Sequence, residues 1–239
     1  MSLTGKDKSE YVKKTFNSIA GNYDLMNTLM TLGMDKSWRR KVVKTVKAAP
    51  GLKILDVCCG SGKLAIEIAK AVTPIGSVTG LDFSEKMLEE AKKNIASSKV
   101  DGIELVQGDA MNLPFANDTF DGATVGWGLR NLPDLRKGIL EMVRVVKPGS
   151  MVVSLDMAKP EIPIFRNIYW FSFKNIIPLL GKIWADKQQE YDYLFRSASD
   201  FESQKELAKI FAESGLTNTG YINLFGGVVA IVYGQKPLQ

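Results

Sequence analysis

Residues 54–72 read ILDVCCGSGKLAIEIAKAV. KILDV at 53–57 has the near-continuous apolar character of a strand buried on both faces, and Leu64, Ile66, Ile68 and Ala69 open a mostly apolar helix over 63–72. Between the two lies a turn left bare by Gly60, Ser61 and Gly62. In an open parallel sheet, ligands bind beyond the carboxyl ends of the strands, so small residues there let a ligand come close to the backbone. What that ligand is decides what the fold is used for.

The neighbours of the turn narrow the choice. A phosphate loop of the G-x-x-x-x-G-K-[ST] kind fails, because Lys63 is followed by Leu64. A dinucleotide fingerprint would carry Ala65 in its third glycine position, which is tolerated. Asp56, however, sits just ahead of the turn, where a carboxylate repels a pyrophosphate and suits a cationic amine, met directly or through water. S-adenosylmethionine has such an amine and a sulfonium, and it has no phosphate. Asp82 ends the next strand, SVTGLD at 77–82, at the spacing of about 20 residues that places an acid on a ribose diol, and Phe83 follows it. Asp109 and Ala110 follow a third strand at 103–107, where a carboxylate and a backbone N–H could read an adenine edge. Each feature has an ordinary alternative: the glycine turn occurs in many α/β domains, Asp82 can cap a helix, and Asp109 can cap the LPF loop.

The same rhythm runs outward along the chain. Ser84 caps a helix to about residue 95, a fourth strand is expected at 120–127, Asp134 caps a helix to 146, and KPGS turns into a strand at 151–157. Strand, glycine or acid, helix, strand is the pattern of an α/β fold with a mostly parallel sheet and helices on both faces. Ser203 and Gly215 bound a later helix, and two final strands, 217–224 and 228–234, joined through Gly226 and Gly227, suggest an antiparallel end. Residues 1–48 are expected to form a helical cap over the active site, and 49–239 the main domain. Within it, about 160–200 is an insertion covering the substrate. The aromatic-rich run 162–184 is broken by Arg166, Asn167, Lys174 and Asn175, which favours an amphipathic segment over a membrane span.

Composition excludes several chemistries. The chain of 239 residues has no histidine, which removes serine triads, thiol–imidazole pairs and most zinc sites, so no metal is expected. Cys58 and Cys59 are adjacent and lack the spacing of a disulfide framework or a metal site, which points to a reducing, cytoplasmic setting. The start, MSLTGKDKSEYVKK, lacks the apolar core of a signal peptide. The net charge is +5, but the lysines are spread out in sequence with no compact basic stripe, so nucleic acid is not expected as a partner.

With FNSIAGNYDLMN, WRR, LDVCCGSG, GLDFSEKML, GDAMNLPF, GWGLRN, RVVKPG, PEIPIFRNIYW and FGGVVAIVYGQK in place, the chain resembles the ubiquinone/menaquinone biosynthesis C-methyltransferases over about residues 10–236. It looks most like the branch that converts demethylmenaquinol to menaquinol. The resemblance implies a class I S-adenosylmethionine-dependent, Rossmann-like fold with a seven-stranded sheet and an antiparallel last strand. It also implies S-adenosyl-L-methionine as cofactor and S-adenosyl-L-homocysteine as product. Ser61, Asp82, Asp109, Ala110 and Gly126 fall where the family binds the cofactor; Tyr23 resembles the aromatic that closes over its methionine part, and Arg130 the arginine implicated in activating the quinol ring. Asn131 and Trp127 stand beside the expected ring pocket, and Asp156 is a reserve base. Met26, Leu29, Met30 and Tyr169 are candidates for an apolar route for a prenyl tail. The run 162–184 reads equally as a dimer interface or plain core.

Departures from the family pattern are Cys59, Asp35 in place of a histidine, Trp127 in place of a phenylalanine and Ser150 in place of a glycine. They leave open a ubiquinone- or phylloquinone-type quinol, or another small aromatic or lipid acceptor. A prenylated quinol and transient contact with the inner face of the cell membrane are the implied partners. An NAD-dependent dehydrogenase and a non-enzymatic binding module are the rivals from other classes.

Overall fold

A computed structural model describes residues 5–161, 193 and 196–238. The aromatic run 162–184, with Tyr169, lies outside the described residues. Three helices lead: α1 (Gly5–Ile19), α2 (Tyr23–Met30) and α3 (Asp35–Thr45). There follow β1 (Lys53–Val57), α4 (Lys63–Val72), β2 (Ser77–Asp82), α5 (Glu85–Ser98), β3 (Ile103–Gln107) and β4 (Phe120–Gly126). The chain continues through α6 (Leu135–Val145), β5 (Val146–Met157), α7 (Gln204–Glu213), β6 (Thr217–Leu224) and β7 (Val229–Gln235).

The seven strands form one sheet in the order β3-β2-β1-β4-β5-β7-β6. Strands β1 to β5 pair in parallel, and β7 runs antiparallel between β5 and β6. The chain order therefore reverses between β1 and β4, and a crevice opens beyond their carboxyl ends. The turn expected at KPGS is instead carried within β5: the strand already starts at Val146, its register against β4 shifts between Phe120 and Gly122, and Gly149 N donates to Lys236 O at 2.9 Å.

Alternation of side chains along the strands feeds two apolar layers. Leu55, Val57 and Val152 face α6 and α7, where Ile139, Met142, Leu207 and Phe211 are buried. Ile54, Met151 and Val153 face α3 and α4, with Trp38, Val42, Leu64 and Ile68. Full burial of one such side chain contributes about 1.5–3 kcal/mol, so these layers fix the strand ends as a rigid platform. Helix α3 thus belongs to the sheet's own helical layer, leaving α1 and α2 to lie over the carboxyl edge.

The helix starts behave as their sequences require. Ser84 Oγ accepts from Met87 N, Asp134 Oδ1 accepts from Lys137 N, and Ser203 with Glu206 forms a reciprocal capping box.

Candidate active site

The loop after β1 is shaped by backbone demands. Gly62 has φ +77° at the start of α4, and a Cβ there would meet the Cβ of Ala91 at 3.2 Å. Two bulkier residues also take positive φ: Cys58 (+53°) after β1 and Trp127 (+60°) after β4. Such a conformation costs a non-glycine residue about 1–3 kcal/mol and persists where the surroundings over-determine it. Here the two loops pack against each other: a Cβ on Gly128 would lie 2.6 Å from the Cβ of Cys58.

Two cavities meet at this seam. The first, of about 350 Å³, is enclosed by Val12, Lys13 and Phe16 of α1 on one side and by Gly60, Asp82, Phe83, Asp109, Ala110 and Gly126 on the other. The second, of about 500 Å³, lies toward α2, α3 and α4 and takes in Asp24, Leu25, Lys36, Arg40, Ser61 and Lys63. Tyr23, Cys58, Gly60, Gly126 and Trp127 line both, while Asn131 lines the first alone.

Asp82 organises the first cavity. Its Oδ2 accepts from Gly60 N and its Oδ1 from Ser84 N, both at 2.8 Å. A carboxylate offers about four acceptor positions, so beyond its backbone donors Asp82 keeps capacity for a ribose hydroxyl. Burial pushes the Asp82 carboxyl up from its usual value, and the hydrogen bonds from Ser84, Gly60 and Phe83 backbone groups oppose that. Asp109 Oδ1 is engaged by Met111 N at 2.8 Å, and Phe83 forms an exposed rim with Lys13 Nζ 4.8 Å from its ring centroid. Among the described lining residues the charges are Glu10, Asp82 and Asp109 against Lys13. That excess of acids fits a cationic, phosphate-free ligand such as S-adenosyl-L-methionine and opposes a dinucleotide.

Asp56 lies deeper than its sequence position suggests. It is fully buried and lines neither cavity; Thr124 Oγ1 donates to its Oδ1 at 2.8 Å, and its Oδ2 has no partner. Burial raises its pKa to about 7. Ser61 is also buried, and its hydroxyl donates to Asp24 Oδ1.

Arg130 and Asp156 form a buried pair behind Trp127, and neither lines these two cavities. Arg130 Nη1 donates to Asp156 Oδ1 and, at 3.0 Å, to Trp127 O; its Cζ lies 5.8 Å from the Trp127 ring centroid. Its Nε is buried with no partner. Burial works against the Arg130 charge, but Asp156, Tyr23 and Tyr193 outweigh it and hold the guanidinium above its ordinary pKa. Burial likewise pushes the Tyr23 hydroxyl up, with Arg130 pulling it back. Asn131 Nδ2 donates to Trp127 O at 3.0 Å, and its Oδ1 accepts from Tyr193 Oη at 2.8 Å.

Of the tail-route candidates, Met26 is buried in the cap, Met30 is half-buried and Leu29 is exposed. Burial raises the Cys58 and Cys59 thiols well above their usual pKa, which keeps them protonated.

Sequence reasoning missed Tyr193, Asp24, Asn94 and Asn17. Asp24 Oδ2 accepts from Asn94 Nδ2 at 2.9 Å and lies 3.4 Å from Lys63 Nζ; Ser84 Oγ donates to Asn17 Oδ1 at 2.6 Å. The YD pair at 23–24 is the one local signal for Asp24, and it points first to its tyrosine. Tyr193 Oη reaches Asn131 across a sequence distance that no local pattern reveals, with its ring 5.3 Å from that of Tyr11.

Comparison with known proteins gives the family and the fold. The chain is 62% identical over 238 residues to a demethylmenaquinone methyltransferase of Desulfitobacterium hafniense (strain Y51), covering 99% of this chain and 94% of that one. It is 42% identical over 231 residues to a demethylmenaquinone methyltransferase of Staphylococcus aureus (strain JH9), covering 97% and 95%. A solved SAM-dependent methyltransferase from Aquifex aeolicus superposes with a TM-score of 0.60 at 20% identity, over 82% of this chain and 88% of that one, which establishes the class I methyltransferase fold. The model of the ubiE/COQ5 methyltransferase family matches residues 4–236, and the chain belongs to that family.

Proposed function

We propose that the protein is an S-adenosyl-L-methionine-dependent C-methyltransferase acting on the reduced ring of a prenylated naphthoquinol, converting demethylmenaquinol to menaquinol. The nearly full-length likeness to the Desulfitobacterium hafniense relative carries the choice of acceptor. The acidic first cavity supports the choice of cofactor.

Asp82 would hold the ribose through its remaining acceptor capacity, Asp109 and the Ala110 backbone the adenine, and Tyr23 the methionine end. S-adenosyl-L-methionine supplies a methyl group on a sulfonium and leaves as S-adenosyl-L-homocysteine. The remaining task falls to the protein. A ring carbon becomes a good nucleophile when a neighbouring hydroxyl ionises, and a phenol with a pKa of about 10 is ionised in only roughly one molecule in a thousand at neutral pH. Arg130, held charged by Asp156 behind the Trp127 that lines both cavities, favours the ionised quinol through its positive charge. Asp156 is engaged by Arg130 and by Met157 N, so its part is to position Arg130 rather than to accept the proton.

The α1–α2 cap excludes water from the first cavity, and the enzyme works at the cytoplasmic face of the membrane, where a prenylated quinol resides. Among the described residues, no helix is long and apolar enough to cross a bilayer. The test is incubation with labelled S-adenosyl-L-methionine and reduced demethylmenaquinones of several tail lengths, beside a soluble naphthol and a benzoquinol. Label in the naphthoquinol ring, rising with tail length, is expected; equal labelling of the soluble phenols would overturn the acceptor.

A further inference from the structure

The cap and the helix after it carry a surface that the chemistry above does not use. On α2, Leu25 and Leu29 stand one turn apart and are each 51% exposed, and Leu32 in the following turn is 80% exposed. Water-facing leucines in a row, with the same helix burying Met26, are an apolar ridge that no other described residue covers. Directly after it, α3 buries Trp38 and Val42 and turns Lys36, Arg40 and Lys44 outward at four-residue spacing, with Lys41 exposed on the same helix and Lys47 exposed just past its end. These cations all come from one short stretch, KSWRRKVVKTVK at 36–47, whose helical spacing separates them from the buried Trp38 and Val42.

Few acids answer these cations. Asp35 is buried and paired with Arg39 at 2.8 Å. Glu67 is held by Lys70 at 2.6 Å and only reaches Arg40 at 4.0 Å. The leucine ridge and the basic face adjoin, because Leu25, Lys36 and Arg40 line one cavity, the second.

We propose that the Leu25–Leu29–Leu32 ridge and the Lys36–Arg40–Lys44 face together form a docking surface for an anionic lipid bilayer. The pairing of apolar side chains at headgroup depth with cations beside them is what such a surface selects. The proposal rests on the quinol reading, which supplies the reason for docking, and adds to it the place and the lipid chemistry. Docked this way, the second cavity opens onto the bilayer, and a prenyl tail passes from lipid into protein without crossing water.

The experiment is vesicle co-sedimentation of the full chain at low salt, with phosphatidylglycerol-containing and pure phosphatidylcholine vesicles. Binding to the anionic vesicles alone, lost in 1 M salt where charges are screened beyond about 3 Å, is expected. Leu32→Glu, and separately Lys41→Glu with Lys44→Glu, should each weaken it at least tenfold. Both variants should methylate a short-tailed demethylmenaquinol in detergent at the wild-type rate and a long-tailed one in vesicles at least tenfold more slowly. Wild-type protein that ignores both vesicles, or variants that bind them unchanged, would overturn the surface. A wild type that binds vesicles yet leaves the detergent-solubilised quinol unmethylated would overturn the acceptor and leave the surface standing.

Discussion

Arg130 donates from Nη1 to Asp156 Oδ1 with both side chains nearly excluded from solvent, 7% and 2% exposed. Removing one partner of such a pair strands a buried charge and costs about 3–5 kcal/mol, whereas replacing both with apolar residues is often close to neutral. Asp156→Leu should therefore lower stability by about that amount, and Arg130→Met combined with Asp156→Leu should recover most of it, read by urea denaturation. Turnover should fall at least 100-fold in both, with cofactor binding retained in the double variant. Normal turnover in the double variant would remove Arg130 from the chemistry.

Asp82 makes a second separable contribution. It binds two loop N–H groups and is proposed to bind the ribose, and hydrogen bonds to a charged group contribute about 1.5–3 kcal/mol each. Asp82→Ala should weaken S-adenosyl-L-methionine binding by roughly 100-fold or more in calorimetry, and Asp82→Asn by less, since its amide oxygen still accepts. Unchanged affinity in Asp82→Ala would place the ribose elsewhere.

The central strands and their caps were legible in the sequence because their signals are local. KILDV, SVTGLD and IELVQ became β1, β2 and β3 at the expected residues, and Ser84, Asp134 and Ser203 cap as their spacing indicates. KPGS misled because a proline and a glycine also fit within an irregular strand whose register shifts. Asp82 was legible since it ends a strand one crossover from the glycine turn. Depth was not: nothing in LDVCC says that Asp56 points behind the loop at Thr124. Nor does spacing reveal that Asp24 meets Asn94, 70 residues away, because that contact exists only once α2 has folded back over the sheet edge.

That contact makes its own prediction. Asp24 takes hydrogen bonds from Ser61 and Asn94 and an ion pair from Lys63, and so ties α2 to the glycine turn. Asp24→Ala should loosen residues 5–30 without unfolding the sheet. Hydrogen exchange in that segment should rise while β1 and β4 stay protected, and cofactor affinity should fall by about tenfold. Unchanged exchange would mean that the apolar contacts of α1 hold the cap by themselves.

Asp56 gives a pH dependence with a definite sign. Burial raises its pKa from 3.8 to about 7, so between those values the folded protein holds a proton that the unfolded chain has lost. Stability from this group is present at acid pH and declines as pH rises toward and through 7; the gap corresponds to roughly 4 kcal/mol. Asp56→Asn keeps an oxygen for Thr124 Oγ1 and carries no charge. Urea denaturation without cofactor should show the variant gaining on the wild type between pH 5 and pH 8. If the cofactor's amine reaches Asp56 through water, wild-type affinity falls below pH 7 while that of Asp56→Asn stays flat. A variant that tracks the wild type across both pH values would mean that Asp56 is already ionised at pH 5, with a further partner for its Oδ2.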